Sequence, residues 1–292
     1  MENEKEGYVE VTGGKVWYRI VGADKPGTPL LTVHGGPGAP HDYLKPLEAF
    51  AADRPVIFYD QLGCGLSDRP SDTALWTVSR FVEELDQVRK ALHLNEIHLM
   101  GTSWGAMLTS EYLLRKGTEG VASLILSGPY LSSPRWAADQ QAWIDQLPQS
   151  VRDTIEKYEE SGDYMASAYQ EAVMIFYREH VCRMDPWPKV LDDAMSKMGF
   201  GVYLYMWGPS EFTMTGTLAT ADITDQLHQI HIPVLLTCGE FDEATPATTD
   251  YYQTLFQNAV FHVFPGASHM HQLESEAEYL RVVGQFIEDT NQ

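Results

Sequence analysis

The chain has 292 residues, 44% apolar and 21% charged, the balance of a soluble globular protein long enough to bury a sizeable core. Its 41 acidic residues against 20 basic ones give a formal charge of −21, a field that repels phosphate backbones and anionic membranes, so neither nucleic acid nor membrane is expected as a partner. No run of 18 apolar residues could span a bilayer, and Cys64, Cys182 and Cys238 are too scattered for a disulfide framework or a zinc site. The charged opening Met1-Glu2-Asn3-Glu4-Lys5-Glu6 lacks the apolar stretch of a signal peptide, and with the sparse cysteines it predicts a cytoplasmic protein.

Taken in order, Tyr8–Val11 and Lys15–Val21 flank Thr12-Gly13-Gly14 and read as a β-hairpin. Two continuously apolar runs follow, Pro29–Val33 and Pro55–Tyr59, each fitting a buried parallel strand. The first ends in His34-Gly35-Gly36-Pro37-Gly38 and the second in Asp60-Gln61-Leu62-Gly63-Cys64-Gly65. Phe81, Leu85, Val88 and Leu92 fall on one face of a helix over about 78–92. Ile97–Met100 and Ala122–Ser127 read as further buried strands. Strands alternating with helices imply an α/β fold with a doubly wound, mostly parallel sheet. That rhythm breaks over 134–221, where Trp, Tyr and Met abound and the patterns are helical, as in Tyr169–Val181. It resumes with Ile232–Cys238, Val260–Phe264 and an amphipathic helix over Ser275–Ile287. The expected division is a core of 1–133 and 222–292 with a helical cap at 134–221.

Gly101-Thr102-Ser103-Trp104-Gly105 sits between the strand Ile97–Met100 and a helical run from Ala106 to Leu114. Glycines two residues either side of a serine let a chain turn sharply from strand to helix and expose the hydroxyl at the sheet edge. A serine hydroxyl becomes a nucleophile only when a histidine accepts its proton, and the histidine needs an acid to fix its tautomer. Asp242 ends the strand run Ile232–Cys238 and His269 follows Val260–Phe264, which gives the order Ser, Asp, His at the C-terminal edge of the sheet. Backbone N–H donors for an oxyanion are expected from Trp104, after the nucleophile, and from Gly36 in the glycine-rich loop. His228-x-x-His231 lacks a third ligand nearby, so no metal is expected, and His41 is expected to be solvated. His271, His93 and His98 have no partner pattern.

With these residues placed, the sequence resembles the proline iminopeptidase family of serine α/β-hydrolases, and within it the tricorn-interacting aminopeptidases and related amino-acid amidases. The likeness rests on His34–Gly38, Tyr59–Ser67, Gly101–Gly105, Gly239–Pro246 and Ser268-His269, and in the cap on Tyr169–Val173 and Gly208–Thr213. It implies an α/β-hydrolase fold with an inserted cap. It also implies that carboxylates at Glu211 and Glu243 hold a substrate's free amino terminus by charge-assisted hydrogen bonds. Gly35 and Phe212 complete the implied substrate-binding set, with Trp104 as an apolar wall and Tyr203, Tyr205 and Trp207 as weaker choices for one. Ala106 and Thr102 depart from residues frequent among relatives without touching the triad.

The expected activity is that of a serine aminopeptidase. It would release proline or another apolar residue from short peptides, amides or arylamides with a free N-terminus, and it would need no cofactor. The alternatives are an amidase, esterase or lactonase of secondary metabolism using the same triad, and a non-catalytic receptor on the same fold.

Overall fold

A computed structural model describes residues 3–290. The reading of the N-terminus therefore falls partly on residues 1–2, outside the described residues. The hairpin forms as β1 (Glu4–Val11) and β2 (Gly14–Val21), antiparallel with Val9 opposite Val16. The apolar runs become β3 (Leu30–Val33), β4 (Val56–Tyr59), β5 (Ile97–Thr102), β6 (Val121–Ser127), β7 (Val234–Gly239) and β8 (Ala259–Phe264). They join one eight-stranded sheet in the order β1-β2-β4-β3-β5-β6-β7-β8, antiparallel where β2 meets its two neighbours and parallel from β4 to β8.

Alternation along each strand divides the core into two layers. Leu31, Val33, Ile57, Tyr59, Leu99 and Leu124 face one cluster, while Leu30, Val56, Phe58, Met100 and Ile125 face another. Strands apolar on both faces need helices on both. One layer comes from α1 (Val78–Ala91), α2 (Trp104–Lys116) and, past the cap, Tyr252 of α8 (Pro246–Leu255). The other comes from the short helix α9 (His271–Glu274) with α10 (Glu276–Thr290), and from a 3-10 segment, His41–Ala52, that periodicity did not reveal. Tyr279, Val283 and Ile287 recur every four residues on α10 and are all fully buried. Thr77 caps α1 by accepting from the Arg80 N–H, and Ser132 caps the first cap helix by accepting from that of Arg135.

Between β6 and β7 the chain makes five helices: α3 (Ser133–Ile144), α4 (Gln149–Ser161), α5 (Ser167–His180), α6 (Lys189–Ser196) and α7 (Phe200–Met206). Among the described residues this stretch holds no strand, only the isolated bridges Ser132–Asp222 and Ser210–Thr213. The cap has its own small core of Val151, Ile155, Tyr169, Phe176 and Phe212. It is also stitched to the β-sheet unit. The Gly199 N–H donates to Gly38 O (2.8 Å) and that of Gly65 to Lys197 O (3.1 Å). Arg69 donates to the carbonyls of Lys197 and Met198 (2.5 and 3.3 Å).

Candidate active site

Ser103 stands between β5 and α2 with φ 55° and ψ −119°, a positive φ that is strained for any residue with a side chain. The tight strand-to-helix turn imposes this geometry, and it lifts the hydroxyl clear of the sheet edge. The turn presses α2 against the end of β3, and Gly105 permits it. A Cβ there would stand 2.9 Å from the His34 carbonyl oxygen and closer still to that of Val33.

At the same edge Asp242 follows β7 and His269 follows β8. His269 Nδ1 lies 2.6 Å from Asp242 Oδ1, which also accepts the Ala244 N–H at 2.8 Å. A carboxylate oxygen only accepts, so Nδ1 carries the proton and the neutral ring's Nε2 offers a lone pair. Burial alone would raise the pKa of Asp242, but the charge and hydrogen bond of His269 outweigh it and hold the carboxyl well below the usual range. For His269 burial pulls the ring's pKa down, yet Asp242, with Glu211 and Glu274 adding, leaves it raised. Ser103 and His269 line one cavity of about 220 Å³, and no hydrogen bond joins them among the described residues. His269 Nε2 instead lies 3.6 Å from Glu243 Oε1.

Two backbone N–H groups are available beside the serine. Trp104 is the first residue of α2, so its N–H has no acceptor within the helix. The Gly36 N–H, in a residue with φ 108°, has no partner among the described residues. That of Gly35 is taken by Tyr43 Oη at 2.6 Å. Gln61 ties the two donor segments together, since Trp104 Nε1 donates to its Oε1 (2.9 Å) and its Nε2 donates to His34 O (2.8 Å). Burial pushes the His34 ring down to about 4, which keeps Nε2 free to accept the Gln61 N–H at 2.9 Å.

The cavity also receives two carboxylates, one half-buried and one buried. Glu211, between α7 and β7, accepts from Tyr203 Oη at 2.7 Å, and its own N–H donates to Tyr177 Oη at 3.1 Å. Glu243 is 1% exposed and its Oε2 has no hydrogen-bond partner. Burial, then the charges of Glu211 and Asp242, raise the Glu243 carboxyl well above its ordinary value. Burial likewise raises Glu211, against the opposing hydrogen bond from Tyr203. An orphaned buried carboxylate oxygen beside a second carboxylate is a receptor for a cationic donor, and a substrate ammonium supplies both the charge and the N–H groups. The rest of the wall is largely apolar, with Val173 and Met174 from α5, Leu191 and Met195 from α6, and Met198 and Met270 from loops.

Ser103, His269, Gly35, Gly36, Glu211 and Glu243 thus meet at one cavity, with Asp242 directly behind His269. Phe212 does not line it. Its ring packs at 5.0 Å on Phe176 in the cap core, because the chain turns at Ser210–Thr213 and points alternate side chains apart. The Trp104 ring is buried beneath α2 against the edge of Phe81 and likewise forms no wall. Of the weaker choices Tyr203 lines the cavity, Trp207 packs on Tyr130 and Trp136, and Tyr205 is exposed at the surface. His41 is buried rather than solvated, its Nδ1 2.8 Å from Asp60 Oδ1. No group of three metal-ligating side chains occurs among the described residues.

Sequence reasoning missed the supports. Along α3, Trp136, Gln140 and Trp143 donate to the backbone carbonyls of Glu211 (2.9 Å), Glu243 (2.8 Å) and Asp242 (3.0 Å). Their spacing of four and three on one helical face was the available signal. His271 was missed too, and nothing in its spacing pointed to the acid it faces.

The strand order, the serine's position on it and the inserted cap place the chain among the α/β-hydrolases, and a family model for the alpha/beta hydrolase fold matches residues 28–168. Full-length comparisons narrow the class. The chain is 47% identical to a proline iminopeptidase of Heyndrickxia coagulans, over 97% of this chain and 98% of that one. With a proline iminopeptidase of Thermoplasma volcanium the identity is 39%, covering 97% of each. The crystal structure of the Mycobacterium smegmatis proline iminopeptidase superposes with a TM-score of 0.89 at 34% identity, covering 98% of both chains. The chain belongs to the proline iminopeptidase family of α/β-hydrolases.

Proposed function

We propose that this protein is a serine aminopeptidase that releases an N-terminal proline or other apolar residue from short peptides, amides or arylamides. Ser103 Oγ attacks the carbonyl carbon while His269 Nε2 takes its proton, and Asp242 holds the imidazole in the tautomer that can do so. The tetrahedral oxyanion rests on the N–H groups of Gly36 and Trp104. His269 then returns the proton to the leaving amine, and a water molecule hydrolyses the acyl-enzyme by the same relay. The contact between Ser103 and His269 closes as substrate fills the cavity, since such bonds are commonly long in the free enzyme.

The observation that carries this reading is the pair of carboxylates, buried Glu243 and half-buried Glu211, in the cavity that holds Ser103 and His269. Binding the substrate's ammonium there would count off one residue from its N-terminus. The cap over 134–221 would restrict access to short substrates, and Tyr203 would serve as an apolar wall that also orients Glu211. The three cysteines are free and buried, which supports a cytoplasmic site of action.

The test compares proline p-nitroanilide with its N-acetylated form. The expected outcome is a preference for the free amine of at least about a hundredfold, the scale of losing a charge-assisted hydrogen bond and burying an unpaired carboxylate. Glu243→Gln should erase most of that preference by slowing only the free-amine substrate. Equal rates on the two substrates would refute the aminopeptidase and leave an amidase or esterase using the same serine.

A further inference from the structure

Asp242 has two oxygens, and His269 uses one. The other, Oδ2, accepts the Gly239 N–H at 3.1 Å and lies 3.4 Å from Nδ1 of a second histidine, His271. His271 is fully buried and stands at the start of α9, two residues past His269. Its ring is held between Phe264, stacked at 5.2 Å, and Tyr279 of α10 at 5.4 Å.

The partners of His271 fix its tautomer. Nδ1 faces two atoms that can only accept, Asp242 Oδ2 and, at 3.2 Å, Ser268 O, so Nδ1 bears the proton. Nε2 faces two hydroxyls that can donate, Ser127 Oγ at 2.9 Å and Thr237 Oγ1 at 3.0 Å. Tyr279 Oη in turn donates to Ser127 Oγ at 3.1 Å. The result is a chain of one polarity: Tyr279 hydroxyl to Ser127, Ser127 hydroxyl to His271 Nε2, His271 Nδ1–H toward Asp242, and Asp242 accepting from His269 Nδ1–H. Each link is buried and spans a different element, from α10 through β6 and α9 to the loop after β7.

We infer that His271 is a positioning residue for the triad acid. It flanks the outer oxygen of Asp242 so that the inner one stays aligned on His269, and its Nδ1–H, 3.4 Å from that outer oxygen, draws negative charge away from the His269 side. This rests on the reading of Ser103, His269 and Asp242 as the triad. The titratable groups facing His271 are Asp242 and Tyr279; those acting on His269 are Asp242, Glu243, Glu211 and Glu274. Removing the His271 donor leaves a more basic Asp242, which holds the His269 proton more tightly. The acid limb of kcat/KM therefore moves to higher pH.

The experiment uses the full chain with proline p-nitroanilide, active sites being counted by a serine-directed fluorophosphonate so that misfolded protein is not scored. In His271→Phe, kcat per labelled site should fall by about tenfold, the scale of one polar contact to a charged group, with KM little changed. The acid limb should shift upward. In His271→Asn the amide nitrogen stands near the place of Nδ1, and most of kcat and the wild-type limb should return. In His271→Gln, which reaches toward Ser127 but not Asp242, they should not, and this pair decides the matter if the Phe variant fails to fold. A wild-type limb and kcat in the Phe variant, or equal damage in Asn and Gln, would overturn the inference. Undiminished turnover by Ser103→Ala would instead overturn the triad reading beneath it.

Discussion

Ser103 shows how one residue's environment sets a chemical property, because it meets the cavity through a backbone angle that its own side chain disfavours. The groups around it are tuned in opposite directions. Asp242 is held ionised, whereas burial and neighbouring charge push Glu243 toward neutrality and Asp242 raises the His269 ring. The proposed mechanism needs His269 neutral and Glu243 ionised, so the sign is the same for both. As pH falls, His269 is protonated at a value above its ordinary 6.5 and ceases to be a base. Glu243 takes up a proton well above its ordinary 4.5 and loosens its hold on the ammonium. A pH-rate profile of kcat/KM on proline p-nitroanilide should therefore descend on the acid side from above 6.5, more steeply than one proton allows. In Glu243→Gln the slope should relax to that of a single proton. A level profile through that range would contradict both assignments.

At the scale of the element, α3 is the part that ties the cap to the chemistry. Three donors on one face hold the carbonyls of Glu211, Glu243 and Asp242, so one helix sets the spacing between the two cavity carboxylates and the acid behind His269. The Trp143 ring also stacks on His180 at 4.4 Å, and His180 O accepts the His269 N–H at 3.0 Å. Trp143→Phe keeps the stacking surface but leaves the Asp242 carbonyl without its indole donor. Urea unfolding should report a loss of about 1–3 kcal/mol, the cost of a buried acceptor left unpaired. Kinetics should report a lower kcat, because the segment carrying Asp242 gains freedom. Unchanged stability would mean that a neighbouring donor, or water, had replaced the indole.

At the scale of the molecule, the cap and the sheet unit meet along a polar seam beside the cavity. Asp42, its side chain fully buried, accepts from Lys45 (2.7 Å) and from Lys197 of the cap (2.8 Å), while Arg69 holds the carbonyls of Lys197 and Met198. Met198 lines the cavity and the next residue binds Gly38 of the glycine-rich loop, so the seam sets the shape of the wall. Arg69→Ala removes the guanidinium that spans it. KM for proline p-nitroanilide should rise several-fold while kcat stays within about twofold, the signature of lost uniform binding. Limited proteolysis within 183–199 should quicken. A wild-type KM and cleavage rate would show that Lys197 and the Gly199–Gly38 bond suffice to hold the seam.

The sequence by itself determined the layered fold, the sheet edge that bears the site, and the order of Ser103, Asp242 and His269 along it. Those features are local. A strand apolar throughout must be buried on both faces, and a serine between glycines at a strand-to-helix turn has few other conformations open to it. The resemblance singled out Glu211 and Glu243, and the folded chain brings both to the cavity of Ser103. Side-chain direction was not local. Trp104 and Phe212 have the apolar character of a wall, yet one ring turns under α2 and the other into the cap. Which way each points depends on what stands opposite, and that is set by elements distant in the chain. His271 stands out because β6, β7 and α10 converge on it. Three-dimensional convergence of this kind leaves no period in a sequence, so the buried histidine behind Asp242 came to light only in the tertiary structure, and the spacing of the α3 donors marked a helical face without naming the carbonyls they hold.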